Sequence, residues 1–556
     1  MPSRKQMYRS KVSRRPPIVS VIIPARNEAR WIGQIVRAAR RITRRTEVVV
    51  ICNGSRDETA LRARQAGALV IQYASPLGYD VARAIGARHA RGAILLFVDG
   101  DVLLPTSILR QYCRDVWEGN DLVLNAYSGR KTERSIHSTS EAKRILNALL
   151  GRKDLEGSSL TTIPHAMSRK ALQVIGIENL MVPPKAHARA ILEQLRIKRG
   201  SHLNMALYNR RRGRRIQGGV DRVEKLIIGD HGEAIAEIIN RRGERGGFSD
   251  LARKRSLLLN YLDDPTLLSP YQLRTVHKEP EMVERWRRIA LRIGIPETLR
   301  IENEQKLSII LSISNEERTI YPLLSRLMLL NPKEVIILEN GSHDRTVHRC
   351  VQFPVTCYSF PFHLGHDVGR AIGARIATGE VLLFIDGDIL FQPSELIPFI
   401  HGCYEGADIT LNDVNPFYYH SSMIDDVSMA KAFLNRIMAA NQFQYASLTA
   451  VPHAMSKQMA ERIGYEHLAI PPKAQAIALA RGAMIQLVKG INVFSSNRLR
   501  REHFQEGNVV AQMILGDHLE AVSWLAKHEG IRGRLLDEIR KREYGKTSEV
   551  KGGDLA

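Results

Sequence analysis

The sequence predicts an α/β fold built twice: two tandem domains, each with a mostly parallel sheet and a helical C-terminal extension. Three observations carry this. First, the 556-residue chain repeats itself. VSVIIPARNE, CNGSRDET, LGYDVARAIGAR and FVDGD, within residues 19–101, return as LSIILSISNE, ENGSHDRT, LGHDVGRAIGAR and FIDGD within 307–388, offset by 288 residues at the start and 287 at Asn53/Asn340. A period this long is far above the roughly 20–50 residues of solenoid repeats, so the unit is a whole domain. Second, continuous apolar runs alternate with segments of helical period, the pattern of right-handed βαβ crossovers. Third, each copy ends an apolar run in an acidic triplet, Asp99-Gly100-Asp101 and Asp386-Gly387-Asp388.

The elements follow in order. Val19–Ile23 is apolar throughout and closes on Pro24, as a strand buried on both faces does. A helix over 28–41 carries Ile32, Ile35, Val36 and Ala39 on one side. Glu47–Ile51 is the second strand, with a turn at Cys52-Asn53-Gly54-Ser55. A helix over 57–66, a strand over 68–72, a helix over 81–90 and a strand over 93–98 complete the unit, and the second copy repeats the order. The likeness continues past the triplet: SLTTIPHAMS (159–168) against SLTAVPHAMS (447–456), VPPKAHA (182–188) against IPPKAQA (470–476), and IIGDHGEAI (227–235) against ILGDHLEAV (514–522). These spans divide the chain into a basic disordered tail over 1–16, a first domain over 17–250, a helical connector over 251–305, a second domain over 306–544 and a polar tail over 545–556. The connector shows no counterpart in the other copy and holds a helix over 279–292. Asp230 and Asp517 are expected as caps at a helix start.

The composition is that of a globular protein, 44% hydrophobic and 25% charged. No run of 18 apolar residues offers a membrane span, and the basic N-terminus lacks the apolar segment of a secretory signal. The five cysteines show neither metal spacing nor a paired framework, which fits reduced thiols in the cytoplasm. The formal charge of +23 draws polyanions. Zinc-finger spacing, aromatic RNP strands and a helix-turn-helix are all missing, which argues against nucleic acid. Phosphorylated substrates and peripheral contact with an anionic membrane at its inner face remain.

In open α/β sheets ligands bind beyond the carboxyl ends of the strands, where both triplets sit. Paired carboxylate oxygens suit Mg²⁺ or Mn²⁺ gripping a diphosphate, with Asp99, Asp101, Asp386 and Asp388 as ligands. The glycine between them is expected to leave room for substrate.

This ordered set of motifs resembles the family 2 glycosyltransferases, with the Rossmann-like glycosyltransferase A fold for nucleotide-diphospho-sugars. The resemblance is close over the first hundred residues of each repeat. It implies that Pro24, Asn27 and Glu28, and Asn315 and Glu316, approach the nucleotide, together with Asn53 and Asn340. The aspartate that usually starts the turn after the second strand is Cys52 in the first copy and Glu339 in the second, which makes the second the expected active copy. Arg83 and Arg370 pair either with the diphosphate or with the acidic turns themselves. Lys185 and Lys473 are candidates to hold an acceptor phosphate or carboxylate. His503 is a candidate third metal ligand.

The chain departs from the family where a Glu-Asp pair usually supplies the general base. The matching segments are Pro183–His187 and Pro471–Gln475, with no acid pair. Asp80, Asp367, His165 and His453 are then the candidate bases. The resemblance implies transfer from a UDP- or GDP-linked sugar to a hydroxyl of a cell-envelope glycan or lipid-linked acceptor. Two alternatives stay open: a retaining enzyme like the glucosyl-phosphoglycerate synthases, acting on a small phosphorylated acceptor, and a non-catalytic scaffold that binds nucleotide sugars or glycans.

Overall fold

The computed structural model describes residues 6–8, 16–129, 131–205, 207, 216–217, 220–493 and 508–546. The chain forms two compact units: Met1–Arg241 with Ile531–Ala556, and Arg242–Gly530.

The first unit holds an eight-stranded sheet. Its strands are β1 (Gln6–Tyr8), β2 (Val19–Ala25), β3 (Thr46–Asn53), β4 (Leu69–Tyr73), β5 (Ile94–Phe97), β6 (Leu122–Leu124), β7 (His165–Ser168) and β8 (Ile197–Arg199), in the spatial order 1-4-3-2-5-7-6-8. β4, β3, β2 and β5 run parallel; β7 is antiparallel to β5 and β6, and β1 is antiparallel to β4. Val21, Ile22, Ile23, Val49, Val50, Ile51, Leu95, Leu96 and Phe97 are all completely buried. That is why these strands read as unbroken apolar runs: helices cover both faces. Each such side chain contributes about 1.5–3 kcal/mol. A two-stranded ribbon, β9 (Ile216–Gln217) and β10 (Val220–Asp221), precedes a long helix over Arg222–Arg242.

The second unit repeats the plan with β11 (Gln272–Leu273), β12 (Leu307–Ile313), β13 (Glu334–Asn340), β14 (Thr356–Phe360), β15 (Val381–Asp386), β16 (Ile409–Asn412), β17 (His453–Ser456) and β18 (Ile485–Val488), ordered 11-14-13-12-15-17-16-18. The α/β class and its tandem duplication are therefore as the sequence predicts.

The boundaries differ from those predicted. Residues 242–305 belong to the second unit, and 531–544 belong to the first. The connector packs as part of the second unit, and the helix expected over 279–292 is observed over Pro280–Arg292. It forms helices over Arg255–Asp263, Pro280–Arg292 and Glu297–Lys306, and β11 adds an edge strand to β14. The expected N-terminal tail contributes β1 to the first sheet. Asp230 and Asp517 are not caps; both lie inside long helices, Arg222–Arg242 and Val509–His528.

Candidate active site

Each unit brings four short segments together at the carboxyl ends of β2, β3 and β5, or of β12, β13 and β15. In the first unit the loop after β2 is stapled to the loop after β3. Asn27, with φ of 57°, donates its backbone N–H to Ser55 Oγ (3.1 Å) and accepts from the Arg56 N–H through Oδ1 (2.8 Å). The Glu28 N–H reaches Thr59 Oγ1 (2.8 Å) and the Ala29 N–H reaches Asp57 Oδ2 (3.1 Å). The second unit repeats these bonds with Asn315 on Ser342 and His343, Glu316 on Thr346 and Glu317 on Asp344. Pro24 is half-buried between the buried Ile23 and Ala25 of β2. Glu316 is buried, and its stem stands beside the triplet glycine Gly387.

The triplet glycine has a different task from the one expected. A Cβ on Gly100 would sit 2.9 Å from Ala25 Cβ and 3.0 Å from the Pro24 carbonyl oxygen; on Gly387 it would sit 2.6 Å from Ile313 Cγ2. Glycine lets the acidic turn pack on the carboxyl end of β2 or β12.

Asn53 and Asn340 are spent inside the fold. The Leu77 N–H donates to Asn53 Oδ1 and Asn53 Nδ2 to the Gly78 carbonyl; the Leu364 N–H donates to Asn340 Oδ1. They fix the Leu-Gly-x-Asp loop. Glu339 is likewise bonded within the fold. It is 1% exposed, one oxygen accepts from the Ser342 N–H and the other from the Ser359 hydroxyl at 2.6 Å. Each oxygen of Glu339 thus already accepts one bond within the fold.

Arg83 and Arg370 answer the question of their partner. Asp80 and Asp367 start the following helices in left-handed conformation, both with φ of 62°. Arg83 lies 3.3 Å from Asp80 and 3.5 Å from Asp99; Arg370 binds Asp367 and Asp386 at 2.6 Å each. Burial opposes the guanidinium charge of Arg83, yet Asp80 and Asp99 hold its pKa above the ordinary value. Burial raises Asp99, with Asp101 and Asp80 adding to it and Arg83 opposing. The arginines thus orient the first carboxylate of each triplet. Asp101 and Asp388 are half-buried beside them.

The four candidate bases are each engaged within the fold. Asp80 and Asp367 are neutralised by arginine. His165 is 2% exposed, donates from Nδ1 to the Thr162 carbonyl, and stacks on Phe97 at 4.9 Å. His453 repeats this with Ala450 and Phe384. Burial, then the neighbouring Arg83 or Arg370, lowers both rings to about 3, so they stay neutral and weakly basic. Lys473 does not stand free for an acceptor: it pairs with Glu520 at 3.3 Å. Lys185 is half-buried at the matching turn. His503 lies outside the described residues. Among the described residues no three His, Cys, Asp or Glu gather as a metal cluster. Each triplet can supply only its two carboxylates, and the remaining ligands of an octahedral ion would come from diphosphate and water.

The chain matches the family model described as "Glycosyl transferase family 2" over residues 20–175 and 308–442, together just over half of its length. Among curated proteins, the chain is 33% identical over 112 residues to a 4,4'-diaponeurosporenoate glycosyltransferase of Staphylococcus haemolyticus, covering 18% of this chain and 30% of that protein. It is 39% identical over 93 residues to glycosyltransferase AglE of Haloferax volcanii, covering 15% and 31%. An uncharacterized glycosyltransferase of Haemophilus influenzae is 27% identical, with 28% and 55% covered. The chain therefore spans from about a third to just over half of these relatives. Among solved structures, a mycobacterial protein matches at TM-score 0.32 and 20% identity, over 41% of this chain and 75% of that one. Glucosyl-3-phosphoglycerate synthase from Mycobacterium tuberculosis, in complex with Mn²⁺, UDP and glucosyl-3-phosphoglycerate, matches at TM-score 0.30 and 18% identity, over 43% and 84%. Likeness of that size adds nothing to what the strands themselves show.

Proposed function

The chain belongs to glycosyl transferase family 2, and from that membership we propose that it moves a sugar from a nucleotide-diphosphate donor to a hydroxyl of a cell-envelope glycan or lipid-linked acceptor, with Mg²⁺ or Mn²⁺ held at the acidic triplets. The observation that carries the reading is the recurring Arg83–Asp80–Asp99 and Arg370–Asp367–Asp386 constellation at the sheet ends. A divalent ion bound there would offset the charge that develops on the leaving diphosphate. The chain's own part is to fix the carboxylates. The arginine sets the first aspartate, and the stapled loops set the floor beneath it. An arginine already in place costs no reorganisation when charge develops nearby.

The first repeat is our proposed active copy. Asp386 is clamped by Arg370 at 2.6 Å, whereas Asp99 stands 3.5 Å from Arg83, and the two carboxylates are about equally exposed, so the looser arginine contact is the difference between the copies. This reverses the expectation built on Glu339. The small-phosphorylated-acceptor alternative loses its second-repeat anchor, because Lys473 is held by Glu520.

The test is a comparison of Asp99→Asn/Asp101→Asn with Asp386→Asn/Asp388→Asn in the full chain, assayed for transfer from UDP- and GDP-sugars with Mn²⁺. The first pair is expected to lower turnover by about 100-fold or more, the scale of losing a main electrostatic group, and the second far less. Full activity of the first double variant overturns the assignment of the copy, and full activity of both overturns the metal reading.

A further inference from the structure

A second repeat lies outside the motifs described so far. Arg245-Gly-Gly-... reads RGGFSDLARKR over 245–255, and RGRLLDEIRKR follows over 532–542, offset by 287 residues. Each is an R-G-x-x-x-D-x-x-R-K-R arm directly after a long helix, and each docks on a buried acidic pair.

In the second unit, Arg253 grips Asp517 with both guanidinium nitrogens at 2.7 Å, and Arg245 adds 2.6 Å to the same carboxylate. Arg255 holds Glu520 at 2.9 and 3.0 Å. In the first unit, Arg540 and Arg532 hold Asp230, and Arg542 holds Glu233 at 2.6 and 3.0 Å. The arm backbone then presses on the Leu-Gly-x-Asp loop. The Lys254 N–H donates to the Leu364 carbonyl and the Lys541 N–H to the Leu77 carbonyl, both at 2.8 Å. A Cβ on Gly365 would lie 2.7 Å from Arg253 Cα, and one on Gly78 would lie 2.5 Å from the Ile539 carbonyl oxygen. Only a bare backbone lets the arm come so close, and both glycines also have positive φ, 100° and 89°. Arg253 ends 3.6 Å from Asp367, the aspartate that holds Arg370.

We propose that Arg253 and Arg540 are positioning residues, which lock the Leu-Gly-x-Asp loop and through it the arginine–aspartate pair of each site. The arms also cross in the chain. The arm of the first unit is the stretch after the second repeat, and the arm of the second unit is the stretch after the first repeat. Each site is therefore completed by the continuation of the other repeat, which gives the duplication a reason to stay in one chain. The consequence for donor binding rests on the reading proposed above; the mechanical claim does not.

Hydrogen exchange read by mass spectrometry on the full chain tests both. In Arg540→Ala, exchange across residues 74–90 is expected to rise tenfold or more, while 361–377 stays at the wild-type rate. Arg253→Ala gives the reverse. Arg540→Lys and Arg253→Lys keep the charge and lose the fork, so they restore part of the protection and leave a smaller rise confined to the same single segment. They also decide the same comparison if either alanine variant fails to fold. UDP with Mn²⁺ is expected to slow exchange in both segments of the wild type, and in Arg540→Ala only in 361–377. Loosening of the wrong segment, of both segments equally, or of neither overturns the proposal. One-sided loosening with no effect of UDP and Mn²⁺ on the wild type upholds the arm and overturns the donor-site reading.

Discussion

His187 and Gln475 occupy one position in the two units and solve one problem with different chemistry. His187 Nε2 lies 2.7 Å from Asn147 Oδ1, and Gln475 Nε2 donates to Asn435 Oδ1 at 2.6 Å. The glutamine oxygen also accepts from the Leu448 N–H at 2.9 Å, while His187 Nδ1 is buried without a partner. Burial, then the nearby His231, Arg152 and Lys143, lowers His187 from 6.5 to about 3. The unfolded chain therefore binds a proton that the folded one refuses. Stability from this group is full above pH 6.5 and is lost as the pH falls from there toward 3. His187→Gln is expected to preserve the fold and make the decline between about pH 6.5 and 5 shallower without abolishing it, because His165 and His453 still contribute, measured by urea denaturation across that range. Gly100 gives a second prediction at this scale. Gly100→Ala forces a methyl into Ala25 and the Pro24 carbonyl, and overpacking of this kind costs about 1–3 kcal/mol, readable as a lower urea midpoint with unchanged m-value.

Elements with a strong period were legible in the sequence. β2, β3, β5 and their copies show as apolar runs because they are buried on both faces, and the helix expected over 81–90 is observed over Val81–His89. The loops were less legible. Asn53 and Glu339 look like ligand groups in a motif, but which backbone N–H a side chain meets is set by the loop after another strand, and no spacing states that. The arms were missed for another reason. Their signal is present as R-K-R at 253–255 and 540–542, but arginine-rich stretches read as solvated surface, and here Arg253 and Arg540 have side chains with no exposure at all. Their acidic partners predict an acid release. Burial opposes the charge on Glu233 and Glu520, but Arg542 and Arg255, with Arg532 and Lys473, outweigh it and lower both from 4.5 to about 2. Their contribution is present above about pH 4.5 and is lost as the pH falls toward 2, on the order of 3 kcal/mol for each. Exchange protection over 245–255 and 532–542 is expected to collapse in that window, before the strands open.

At the scale of the whole molecule, the first unit depends on residues that follow the second repeat. Arg540 meets Asp230 across 310 residues of sequence, and Arg253 meets Asp517 across 264. Contacts this distant must close a long loop before they stabilise anything. Removing one partner of a buried ion pair costs about 3–5 kcal/mol, because the other charge stays behind. Deleting residues 531–556 strips the arginines from Asp230 and Glu233 but leaves every arm residue of the second unit in place. For a domain of this size 1 kcal/mol moves the melting temperature by about 2–4 °C. Calorimetry on the truncated chain should therefore show one transition lowered by about 10 °C or more and one near its original temperature, with the early transition assigned to the first unit by exchange at Val19–Ala25. An early transition in the second unit would mean that an arm serves the repeat it follows in sequence, and a common shift of both would mean that the two units melt as one.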